Sequence, residues 1–259
     1  MSFEEFKKHG VTQNTPKEIM LGAGTIHKNL KYGYVSIINT TKKKPSDWET
    51  NYANYYAHEI EEDIHDPSHH RDIYTPVTAE TKAGFDAVFA SGGLPDICFK
   101  GWNAMESCIG ATSGGNKVSI KPEVITVDVD GALVKVKGLD FKQGEVATLE
   151  TNLVEITPDL LKNTLIGETV DSDVEGFALL ESKPDIQEGD YFENLAFVGW
   201  RTDGTPIIII FDNALCTTGF EGEAKNKENT VVKVTFECYQ DVTADLMVLP
   251  YHIYYPTQG

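Results

Sequence analysis

The chain has 259 residues, 41% of them hydrophobic, and a formal net charge of −18. That length allows one large domain or two small ones with a packed core. The acidity excludes tight binding to a phosphate backbone, which needs clusters of Lys and Arg, and the four scattered cysteines (Cys98, Cys108, Cys216, Cys238), none in a C-x-x-C pair, exclude a zinc ribbon and leave no reason to expect a disulfide scaffold.

Residues 1–16 are polar, with Phe3 and Phe6 as isolated apolar anchors, and read as a short helix or an arm. Met1–Glu5 lacks the basic start and apolar stretch of a signal peptide, so synthesis and folding in a cytoplasm are expected. Lys17–Leu21 reads as a strand ending at Gly22-Ala23-Gly24. This Gly-x-Gly has no third glycine and no following Gly-Lys-Ser/Thr, so it does not make a phosphate loop. A second apolar run spans Tyr32–Ile38, and Lys42-Lys43-Lys44-Pro45 closes the first piece.

Ser46 and Glu49 have capping-box spacing ahead of a helix expected over Trp48–Ile64, where Tyr52, Tyr55, Tyr56, Glu59, Ile60 and Ile64 form a rough stripe. This region is acidic and holds His58, His65, His69 and His70, four of the seven histidines. Imidazoles and carboxylates bind divalent metals, but a zincin needs His at i and i+4, and position 62 is Glu62. A solvated acidic loop is the plainer expectation. A second helix is expected over Thr78–Ala90, stopped by Ser91-Gly92-Gly93 and Pro95. Ile97–Phe99 and Trp102 then lead into the centre of the chain.

The centre runs from Ile109 to Ile166. It holds a turn-rich opening (Ala111–Asn116), alternating residues through Val129, an Asp130-Gly131 turn, and a second alternating run over Leu133–Gly138. That pattern predicts a hairpin about Asp130-Gly131. Glu145–Val154 is a third strand candidate. A short helix, Pro158 to Ile166, follows, capped by Thr157 and stopped at Gly167. Further on, Gly176–Leu180, Tyr191–Trp200, Ile207–Phe211, Ala214–Phe220, Val231–Tyr239 and Val248–Tyr255 read as strands or apolar runs. Alternation places Val232, Val234, Phe236 and Cys238 on one face. The longest apolar run, Pro206–Phe211, is far short of the about 18 residues a membrane helix needs. The chain is therefore expected to be mainly β, with a sandwich-like spacing of strands.

Gly110–Lys117 followed by Asp130–Gly138, with Leu21–Ile26 and Ile156–Leu161, resembles the major tail, or tail tube, proteins of long-tailed bacteriophages. The resemblance covers roughly residues 17–35 and 100–259, and leaves 39–100 as an insertion of two helices and loops. It implies a single tail-tube domain over 1–259, with an N-terminal arm at 1–16 and a β-sandwich or barrel flanked by a helix. It further implies six-membered rings stacked around a channel through which the genome passes. The implied partners are copies of the chain itself and other tail proteins such as tape measure, tail terminator and distal tail proteins. The expected location is the virion tail. An acidic lumen would let DNA pass without specific binding, and no membrane is involved.

No constellation points to catalysis. Asp128 and Asp130 share a strand face but no cleft is indicated, and there is no Gly-x-Ser-x-Gly elbow. The sequence assigns no catalytic, cofactor-binding or metal residue, and no cofactor. The alternatives are a ligand-binding β-sandwich using Trp102, Trp200 or Tyr251, and a metal-binding protein using His58, His65, His69 and His70.

Overall fold

This computed structural model describes residues 19–62, 70–131, 133–223 and 230–257. The chain is mainly β, as its alternating patterns predict, and divides into two compact units. One unit draws on residues 1–29 and 108–259, the other on Leu30–Ser107. In chain order, the first unit contributes β1 (Met20–His27). The second contributes β2 (Tyr32–Ser36), β3 (Tyr55–Glu62), β4 (His70–Pro76), helix α1 (Ala79–Ala90) and β5 (Ile97–Trp102). The chain then returns to the first unit with β6 (Thr112–Thr126), β7 (Asp140–Leu153), helix α2 (Pro158–Leu165), β8 (Gly167–Val170) and β9 (Leu179–Ser182). It finishes with β10 (Phe192–Arg201), β11 (Pro206–Cys216), β12 (Gly222–Glu223), β13 (Val231–Cys238) and β14 (Tyr251–Tyr254).

The main sheet of the first unit has the order β1-β10-β11-β13-β7-β6, with β14 also on β11 and β12 on β13. It curls until its end strands meet. The Ile109 amide donates to the Ile26 carbonyl at 3.0 Å, His27 and Cys108 form an antiparallel bridge, and the Val154 amide donates to Ala111. Alternation along β13 buries Val232, Val234, Phe236 and Cys238, the face expected from the sequence. They join Ile26, Leu149, Leu153, Leu195 and Phe211 in one core. Each such fully buried side chain contributes about 1.5–3 kcal/mol. Leu160 of α2 enters the same core. Thr157 caps that helix by accepting from the Leu160 amide at 3.3 Å, and Ile166 ends it in the left-handed region at φ 51°.

Strand β1 passes through its glycines rather than ending at them. Gly24 has φ +69°, and a Cβ there would lie 2.8 Å from the Val198 carbonyl, so the bulge between Leu21 and Thr25 needs glycine. The hairpin is larger than the Asp130-Gly131 spacing predicts. Its ladder closes at Thr126↔Asp140, and Leu133–Gly138 forms no strand. The alternating residues of that run have no partner face in the described chain, so nothing stabilises them as a ladder. The strand expected at Gly176–Leu180 does not extend the main sheet either. Its end, β9, pairs with β8 in a separate two-stranded sheet.

The second unit is a four-stranded antiparallel sheet in the order β2-β5-β3-β4. Ile37, Trp48, Tyr55, Val77 and Ile97 form its core, with Phe85 and Phe89 of α1 packed against them. Helix α1 starts at a reciprocal Thr78–Thr81 cap, close to the expected residues. The other expected helix, over Trp48–Ile64, is wrong. Among its described residues only Trp48–Asn51 is α-helical, and from Tyr55 to Glu62 the chain is β3, hydrogen-bonded between β5 and β4; Asp63 and Ile64 lie outside the described residues. Tyr-rich sequence has weak helix propensity, and pairing on both sides overrides the helical stripe.

Candidate functional site: an exposed apolar arm and a histidine cluster

Beyond the core, β6 and β7 run on as a projecting arm. Alternate burial in β7 holds from Ala147 to Leu153, whereas Asp140–Gln143 are exposed throughout. The arm and its connecting loop present Val124, Ile125, Val127, Val129, Leu133, Val134, Val136 and Phe141 to solvent. Leu133 is 99% exposed and Val134 76%. Exposed apolar side chains grouped in this way are a common feature of interaction surfaces. Among the described residues β14 pairs only with β11, and β6 only with β7; β6 lies against β1 at Asn116, so an edge for a further strand is left on β14 and on the arm part of β6. Asp128 and Asp130 lie in the loop rather than on a strand face.

Of the histidine set, the two described members, His58 and His70, do not converge. His58 faces Tyr74 across the β3–β4 ladder while His70 faces Glu62, four positions along, about 13 Å at strand rise. His65 and His69 lie outside the described residues. His58 instead gathers residues the sequence did not connect with it. Its Nδ1 is 2.8 Å from Asp96 Oδ2 and its Nε2 2.9 Å from Asp72 Oδ1. The Tyr74 ring stacks on the imidazole at 5.1 Å, and Tyr34 stacks on Tyr74 at 4.0 Å. Ligating atoms of His58, Asp96 and Cys98 all lie within 4.8 Å of one another, the one such trio found among the described residues. The hydrogen bonds to Asp72 and Asp96 hold the His58 pKa above its ordinary value. Burial, with help from Asp96 and Asp72, pushes the Cys98 thiol up to about 11. One signal was present in the sequence. Asp96 and Cys98 are two apart in a strand-like run, hence on one face, but the stripe over Trp48–Ile64 places His58 on a helix.

The aromatic candidates fall in different units, Trp102 in the one and Trp200 and Tyr251 in the other. Trp102 packs edge-on against Tyr32 at 5.4 Å. Trp200 is half exposed at the end of β10, and Tyr251 donates its hydroxyl to Glu145 at 3.2 Å, packed against the core. No helix among the described residues is long and apolar enough to cross a membrane. No protein-family model matches the sequence, and no curated protein matches it.

Proposed function

We propose that this chain is a structural subunit that assembles with copies of itself, and that the assembly is a phage tail tube: stacked six-membered rings around a channel for the genome. The observation that carries the reading is the arm over residues 124–141, apolar and exposed on the isolated chain. Burying Leu133 and Val134 would contribute about 3–6 kcal/mol. Association costs about 4–15 kcal/mol in lost freedom, so the two residues at the tip do not suffice. Burial of the whole arm, repeated around a ring, does. A head-to-tail contact that closes gives a ring, and the two different faces of a ring let rings stack. The edge of β14 and the arm part of β6 supply backbone donors and acceptors for such contacts. The sequence resemblance to tail tube proteins points the same way, and the charge of −18 fits a conduit that DNA passes without adhering.

In this reading the protein is not an enzyme, and forming the tube calls on no catalytic cofactor. It is made in the host cytoplasm and works in the virion, meeting the other tail proteins at the ends of the tube. The test is electron microscopy of the purified chain at rising concentration. Rings or tubes with a central channel are expected. Compact monomers at every salt concentration and pH would overturn the reading.

A further inference from the structure

We propose that His58, Asp96 and Cys98 form a zinc site on the sheet of the Leu30–Ser107 unit. The argument is independent of the assembly reading. Strands β3 and β5 are hydrogen-bonded neighbours, with Tyr56 opposite Cys98, and the His58 amide donates to the Asp96 carbonyl at 3.1 Å. The pleat then puts His58, Asp96 and Cys98 on one face. Their ligating atoms lie within 4.8 Å of one another. Zinc bonds of about 2.0–2.3 Å place tetrahedral ligands roughly 3.3–3.8 Å apart, so small side-chain rotations bring the three onto one ion. One imidazole nitrogen, one carboxylate and one thiolate make a mixed donor set that suits zinc and does not suit calcium or magnesium, which take oxygen ligands.

Two further contacts make the cluster more than three residues in proximity. Asp72 Oδ1 sits 2.9 Å from His58 Nε2. A carboxylate there accepts a hydrogen bond from Nε2–H, which fixes the tautomer and leaves the Nδ1 lone pair for the ion, the usual outer partner of a zinc-bound histidine. The Tyr74 ring, backed by Tyr34, stacks on the imidazole and holds its plane. Cys98 is buried whereas Asp96 is exposed, which leaves the fourth position open to water from the Asp96 side. On binding, the ion takes the place of the proton between Nδ1 and Asp96, and the thiol proton of Cys98 leaves to solvent. The carboxylate and the thiolate balance the two positive charges of the ion.

The test uses the full chain, expressed without a histidine tag and purified without chelator. Elemental analysis is expected to find about one zinc per chain. Cobalt substitution is expected to give tetrahedral visible bands and a thiolate-to-cobalt charge-transfer band. Cys98→Ser should abolish that band while far-ultraviolet circular dichroism stays unchanged. Asp72→Asn should keep the stoichiometry but weaken zinc affinity about 10–100-fold. A triple variant, His65→Ala, His69→Ala and His70→Ala, should keep the metal. The proposal is overturned if the chain stays free of zinc in micromolar excess, or if zinc is lost from the triple variant but kept in Cys98→Ser.

Discussion

The side-chain amide of Asn116 donates to the Ala23 carbonyl at 2.8 Å, tying β6 to the glycine bulge of β1 where the ends of the sheet meet. The same amide accepts from the buried Thr151 hydroxyl at 2.6 Å. Asn116→Ala leaves both partners without it. The expected loss is about 1–3 kcal/mol, seen as a lower urea midpoint with an unchanged slope. Asn116→Asp should be at least as harmful, because a carboxylate cannot donate to Ala23.

The arm separates assembly from folding. Leu133 and Val134 touch little in the isolated chain, so replacing both with Lys should change stability by no more than about 0.5 kcal/mol for each residue. The same change should abolish higher assemblies. Sedimentation velocity is expected to show monomers only, with the unfolding transition of the parent chain. A double variant that still forms rings would show that the arm is not the contact.

Lys183 and Asp190 form a nearly fully buried ion pair at 2.6 Å. Burial works to raise the Asp190 pKa, yet the Lys183 ammonium and the Gln187 amide hold it below the ordinary value. Removing one partner strands the other charge in the protein. Lys183→Met is expected to cost about 3–5 kcal/mol in chemical denaturation. The double variant Lys183→Met, Asp190→Leu should recover much of the loss, since no uncompensated charge remains.

Acid should loosen the Leu30–Ser107 unit through Asp86. Its carboxylate accepts from Lys82 at 2.6 Å and from Trp48 Nε1 at 2.8 Å. These contacts lower its pKa from 3.8 to about 2. A lowered carboxylate pKa gives stability that is complete above the unfolded value and lost as pH falls toward the folded one. The difference in thermal midpoint between the parent chain and Asp86→Asn should therefore be constant from neutral pH to about 4, then shrink toward pH 2. A difference that stayed constant down to pH 2 would mean that the proton does not break these contacts.

Much of this protein was written in local chemistry. Thr157, Pro158 and the stop near Gly167 define α2, and the alternation of Val232, Val234, Phe236 and Cys238 defines the buried face of β13. Both depend on neighbours within a few residues, so a sequence reader can see them. The tertiary structure decided what distant partners decide. Tyr55–Glu62 became a strand because β5 and β4 hydrogen-bond to it from both sides. The run at Leu133–Gly138 stayed out of any ladder because no strand lies beside it in the described chain. His58 met Asp72, Asp96 and Cys98, whereas His70 lies four positions along the same ladder. Period and capping act along the chain, whereas ladders and ligand clusters are set by which strands come to lie side by side.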